Sequence, residues 1–223
     1  MDIFLYLAAL ALVMWAQVKV NGAYSRYKNT PSLRGYRGVD AARKILDRYG
    51  LHDVQIEMAS GGVLSDHYDP KTNTVRLSKD IYYNTSIASI SVAAHEVGHA
   101  IQHATNYSFI ALRTKILPVA MISSSLGWSV TIMGLLFSMD SVFYIGVIML
   151  GCIAFFQLIT LPIELDASKR ALTILDEEAM IVPEEYGDCK AMLSAAAFTY
   201  IASLISTLMQ IARLFLMRNR RRN

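Results

Sequence analysis

Five residues, His95-Glu96-Val97-Gly98-His99, carry the types and spacing that can do chemistry. On a helix, residues four apart lie one turn above each other on one face, so both imidazoles can give a nitrogen to a single metal ion. Glu96, beside the first imidazole, is placed to take a proton from a water that the metal activates. Zinc suits such a site. It accepts nitrogen and oxygen ligands, and it lowers the pKa of a bound water to about 7 when one coordination position stays open. Ile90, Ala94, Val97 and Ile101 form one apolar stripe along the same helix, and Ser91, His95, Gly98, His99 and Gln102 fall on its other, more polar side. A glycine inside a helix costs about 1 kcal/mol relative to alanine, so Gly98 is read as a place where another backbone comes close.

The elements that must position these residues belong to a membrane protein. The chain has 223 residues, of which 54% are hydrophobic, which is too apolar for an ordinary soluble domain. A net charge of only +3 gives no basic footprint for nucleic acid. Cys152 and Cys189 have no metal-ligand spacing and make no disulfide framework. Four stretches read as spans: residues 3–16 extended by 17–20, residues 116–139, residues 141–163 and residues 191–212. The first is read as a retained anchor, because Asp2 stands where a signal peptide needs a basic region and no small-x-small cleavage site follows. Asp140 alone separates the second and third spans, which predicts a tight membrane hairpin.

The chain between the spans divides accordingly. Residues 1–20 form the anchor, 21–115 the catalytic region, 116–163 the membrane hairpin, 164–190 a helix and loop, and 191–223 the last span with its basic tail. Within 21–115, Asp40 is expected to cap a helix ending at Arg48, and residues 53–58 alternate as a strand. Residues 63–68 and 74–77, joined by Asp69-Pro70-Lys71-Thr72-Asn73, read as a hairpin, and Thr85 or Ser86 caps the metal helix. Asp66, His67, Tyr68 and Asp69 form a polar cluster at the hairpin turn, with turn chemistry and substrate contact as the two readings.

Pro162 is expected to end or kink the third span, with residues 163–175 helical beyond it. Two spans lie between this segment and the histidines, so the chain returns to the same side of the membrane. Glu164 is therefore the best-placed third metal ligand. Asp166 is the runner-up, or else an acceptor that orients a ligand imidazole. Glu164 and Ser168 share one helix face. Pro183, Glu184 and Glu185 open another helix that runs into the last span. His103 lies ~12 Å along the axis from His95 if the helix continues, too far to share its metal, and is left a substrate-side or structural role.

Three longer stretches carry a family resemblance. Residues 93–104, Ala-Ala-His-Glu-Val-Gly-His-Ala-Ile-Gln-His-Ala, together with 64–70 and 161–168, resemble the hallmark segments of the YugP-like neutral zinc metallopeptidases. The resemblance covers nearly the whole chain and implies a multi-pass bacterial membrane peptidase with zinc. A more distant similarity is to the HtpX and CAAX-prenyl membrane peptidases. In those families a metal helix, a membrane hairpin and a Glu-bearing helix follow in that order, and the Glu is the third ligand, which supports Glu164. They carry an Asp four residues after that Glu, where this chain has Ser168, so the role of orienting a ligand is left to Ser168, to Asp166 or to neither.

The combined expectation is a mainly α, four-span transmembrane protein with a small α+β, zincin-like catalytic part. One zinc ion is held by His95, His99 and Glu164, with Glu96 as general base. His67, Tyr68, Tyr82 and His103 are candidates for contact with the substrate or the developing oxyanion. The lipid bilayer and a membrane or membrane-proximal protein substrate are the expected partners, with no nucleic acid and with any homo-oligomer left open. The rival reading is a metal-binding scaffold or transporter without hydrolysis. Apart from Lys19 at the end of the first, the spans hold no charged residue to mark an ion path, and a scaffold gains nothing from Glu96 between the histidines. Lys19, Arg26, Lys28, Arg34 and Arg37 after the first span favour a cytoplasmic catalytic face, against Arg218, Arg220, Arg221 and Arg222 at the C-terminus. Cys189 is expected to be accessible on the catalytic side, and Cys152 to be shielded.

Overall fold

The computed structural model describes residues 2–222, so Met1 and Asn223, at the ends of the expected anchor and basic tail, lie outside the described residues. The elements run α1 (Asp2–Tyr27), α2 (Gly38–Arg48), β1 (Gln55–Met58), β2 (His67–Asp69), β3 (Thr74–Leu77), α3 (Lys79–Tyr83), α4 (Ile87–Ala104), α5 (Ser108–Leu136), α6 (Asp140–Glu177) and α7 (Pro183–Arg222). Among the described residues, four helices are long and apolar enough to cross a membrane: α1, α5, α6 and α7. A helix satisfies its own backbone in lipid, which is why uncharged runs of this length take that form. The chain divides into two compact units.

The first unit comprises residues 2–17, 111–162 and 198–222. Its outer surface is apolar, with Phe4, Leu7, Met121, Ile122, Ile148 and Leu208 exposed as lipid-facing side chains are. Between α5 and α6 the packing is backbone against backbone: a Cβ on Gly134 would run into the Phe143 backbone. At the start of α6, Asp140 accepts a 2.8 Å hydrogen bond from Arg218 of α7, whose other arm donates to the Tyr144 hydroxyl at 2.8 Å. Burying Arg218 is tolerable because its charge is paired and stacked on the Phe143 and Tyr144 rings.

The second unit, Val18–Ile110 with Ile163–Ala197, contains the sheet and α4. Its core joins Ile45 and Leu46 of α2, Val75 and Leu77 of β3, the α4 stripe Ile90, Ala94, Val97 and Ile101, and Ala171 and Leu175 of α6. Strand order is β1-β3-β2, with β1 parallel and β2 antiparallel to β3. This order leaves β2 at one edge of the sheet. Ser86 caps α4, its side chain accepting from the Ser89 N–H at 3.1 Å. Glu185 reaches back to the Val182 N–H at the start of α7 and, with its other oxygen, accepts from the Leu33 N–H at 2.7 Å.

Several local expectations are corrected. Asp40 is not the cap of α2; Arg37 holds that position and pairs with Asp40 in the first turn at 2.7 Å. Of the expected 63–68 strand only residues 67 and 68 extend, with Asp69 of the expected turn added to them, because Gly61-Gly62 and a left-handed Leu64 (φ 61°) bend the chain before them. Of the two alternatives at Pro162, an end or a kink, the end is excluded, since α6 runs through it to Glu177. A proline removes one N–H and crowds one carbonyl, a local cost that need not unpair the flanking turns. Cys189 is not in an accessible loop; it sits on the inner face of α7, fully buried, and Cys152 is partly exposed.

Candidate metal centre

Helix α4 presents His95 and His99 one turn apart, their rings edge-on with centroids separated by 4.7 Å. Helix α6 brings Glu164 to them. Its Oε2 lies 3.4 Å from His95 Nε2 and 3.6 Å from His99 Nε2. All three ligand atoms fall within 4.8 Å of one another. Corners of a tetrahedron with bonds of ~2.0–2.1 Å are about 3.4 Å apart, so two imidazole nitrogens and a carboxylate oxygen in these places fit zinc.

The two helices can meet this closely because of Gly98. A Cβ there would lie 2.9 Å from the Ala167 carbonyl oxygen, as expected for a glycine that admits another backbone. The polar side of α4 is consequently covered: Ser91 and Gln102 are fully buried rather than facing an open surface. Glu96 is 8% exposed, beside the cluster. Burial alone would pull the His99 pKa down, but the Glu164 hydrogen bond and the charges of Glu96 and Glu164 outweigh it and leave it raised.

Behind the imidazoles, the outer nitrogens have partners. Ser168 Oγ lies 3.1 Å from His95 Nδ1. Gln102 Oε1 lies 3.0 Å from His99 Nδ1, and Gln102 Nε2 donates to Asp166 Oδ2 and to the Ile163 carbonyl, each at 2.8 Å. Arg170 in turn donates to Asp166 at 2.5 Å and stacks on Tyr107. Ser168 therefore touches one imidazole directly, whereas Asp166 reaches the other only through Gln102. Sequence reasoning missed Gln102 and Arg170. Their signals were the i+3 spacing from His99 and the i+4 spacing from Asp166.

The remaining candidates are not members of the His95, His99 and Glu164 group. His67 bonds through Nδ1 to the Ser65 carbonyl at 2.8 Å. Tyr68 donates to Asn73 Oδ1 at 2.9 Å, and its ring meets that of His103 at 5.9 Å. Tyr82 packs edge-on against Tyr83. Asp69 is occupied by the turn, with its pKa held down to about 2 by the Lys71 N–H first, then by Thr72 and Arg76. Asp66 accepts from both the N–H and the hydroxyl of Ser78, at 2.6 and 3.1 Å.

Comparison with known proteins agrees with this geometry. Residues 2–219 match the family described as "Putative neutral zinc metallopeptidase". The chain belongs to this family. It is also 43% identical over 211 residues to the "Putative membrane protease YugP" of Bacillus subtilis, covering 95% of this chain and 93% of that protein. No solved structure matches. As a member of the zinc metallopeptidase family with four candidate spans, the chain is a membrane protein, and its His-His-Glu cluster is the arrangement such an enzyme needs.

Proposed function

We propose that the chain is an endopeptidase that cuts membrane or membrane-proximal proteins, using one zinc ion held by His95, His99 and Glu164. The observation that carries this reading is the convergence of both Nε2 atoms on Glu164 Oε2, with the buried Glu96 next to the first ligand. A bound zinc ion would supply Lewis acidity, polarising the scissile carbonyl and lowering the pKa of the attacking water. The Glu96 carboxylate accepts the proton which that water loses and returns it to the amide nitrogen as the C–N bond breaks. Asp166 and Ser168 stand behind the ligands, and the free edge of β2, bearing His67 and Tyr68, is the surface on which an extended peptide can pair its backbone. His103 touches Tyr68 and belongs to that same surface. A cytoplasmic catalytic face follows from the basic residues after the first span.

The test is Glu96→Gln. It keeps the shape and the metal but cannot take the proton, so purified protein should retain zinc while cleavage falls by about 10²- to 10⁴-fold. Membrane proteins that stay bound to this variant would be the substrates. Cleavage at the parent rate would overturn the scheme.

A further inference from the structure

Hydrogen-bond direction can be followed without ambiguity from Arg170 to His99. Asp166, paired with the Arg170 guanidinium at 2.5 Å, is a carboxylate that only accepts, and the Ile163 carbonyl also only accepts. Both lie 2.8 Å from the same end of the Gln102 side chain, so that end must be the amide nitrogen. Gln102 is fully buried and the other end of its amide, the oxygen, faces His99 Nδ1 at 3.0 Å. An amide oxygen cannot donate. Nδ1 must therefore carry hydrogen, so in the neutral imidazole that a metal binds the lone pair lies on Nε2, the nitrogen 3.6 Å from Glu164. His95 has no such constraint, since the Ser168 hydroxyl at its Nδ1 can donate or accept.

We propose that Gln102, oriented by Asp166 and Arg170, is a positioning residue that sets the His99 tautomer and readies Nε2 for the metal. This rests on the reading that His95, His99 and Glu164 hold zinc. A neutral imidazole reaches its metal-binding form by this outer hydrogen bond, and loss of such partners typically costs 10- to 100-fold in metal affinity. Gln102 also ties α4 to α6, so a purely structural role has to be separated from the positioning one.

Zinc affinity of the purified full-length protein, measured by competition with a chromophoric chelator, makes the separation. Gln102→Leu removes the acceptor and should weaken zinc binding by about 10- to 100-fold. Gln102→Glu keeps an acceptor for Nδ1 but loses the donor to Ile163 and to Asp166 and sets a second carboxyl against the latter. It should melt lower than the parent while binding zinc far more tightly than Gln102→Leu. Asp166→Asn should weaken zinc several-fold in the parent and add nothing in the Gln102→Leu background. Parent-like affinity in Gln102→Leu would overturn the inference, as would Gln102→Glu binding zinc as poorly as Gln102→Leu, or equal effects of Asp166→Asn in both backgrounds. His95→Ala, titrated alongside, guards the premise: if it also kept its zinc, the metal assignment itself would fall, whereas zinc loss there with none in Gln102→Leu would sink the Gln102 role alone.

Discussion

Gly98 on α4 and Ala167 on α6 meet backbone to backbone, with a hypothetical Gly98 Cβ only 2.9 Å from the Ala167 carbonyl oxygen. The contact fixes the separation between the helix that carries both histidines and the helix that carries Glu164. Gly98→Ala should gain about 1 kcal/mol in helix propensity and lose about 1–3 kcal/mol to overpacking, because a backbone atom cannot swing away. The expected result is a lower melting temperature together with weaker zinc binding. An alanine variant with parent stability and parent zinc affinity would show that the close approach does not position the site.

Ligand identity can be tested by metal content. Glu164→Ala should lower zinc occupancy as His95→Ala does, whereas His103→Ala should leave it nearly unchanged, since the His103 ring faces Tyr68 and is not part of the His95, His99, Glu164 group. Full zinc occupancy in Glu164→Ala would remove it from the ligand set and turn attention to Asp166.

How far the sequence could be read depended on the range of the interactions involved. His95, His99, Gly98 and the α4 stripe follow helical periodicity within one element, and Glu164 with Ser168 follows it in another. Gln102 stood in plain view on the same face as His99. Its role, though, depends on Asp166 and Ile163, which are more than sixty positions away and leave no local trace. The central place of β3, flanked by a parallel β1, was hidden for the same reason, as was the burial of Cys189. Pro162 misled in another way. Its local preference argues for a break, but in an apolar span the cost of unpairing the adjoining backbone keeps the helix going.

Asp66 gives a pH-dependent prediction. Burial first, with the charge of Glu96 adding to it, raises the Asp66 pKa above the usual carboxylate value of 3.8, against the lowering effect of the Ser78 donors. A carboxyl whose folded-state pKa is raised holds its proton more tightly in the folded chain. Its favourable contribution is present below the unfolded pKa and is lost as pH rises through the folded one. In Asp66→Asn, the amide oxygen can accept from the Ser78 N–H and the amide nitrogen can donate to the Ser78 hydroxyl. Measured with chelator present, this variant should melt higher than the parent at neutral pH, with the difference closing as pH falls below 3.8. An offset that is the same at both ends of the range would contradict a half-buried carboxyl whose folded-state pKa is raised.

The side of the membrane on which the site works needs introduced probes, because Cys189 is fully buried and Cys152 lies within α6. Lys71, in the turn between β2 and β3, is exposed in the unit that carries the metal cluster, and Asn219 is exposed near the end of α7. If all four candidate spans cross, Lys71 and Asn219 fall on opposite sides of the membrane. Lys19 and Arg26 lie in the last part of α1, and Lys28, Arg34 and Arg37 follow it. Because the first helix usually dominates orientation, this basic bias is the ground for the proposed cytoplasmic catalytic face. The arginine-rich tail pulls the opposite way, so the two positions should be read together. A membrane-impermeant maleimide applied to intact cells should label Asn219→Cys and leave Lys71→Cys untouched until the membrane is opened. The reverse pattern, with Lys71→Cys modified from outside and Asn219→Cys protected, would put the active site on the outer face and show that the C-terminal arginines set the topology.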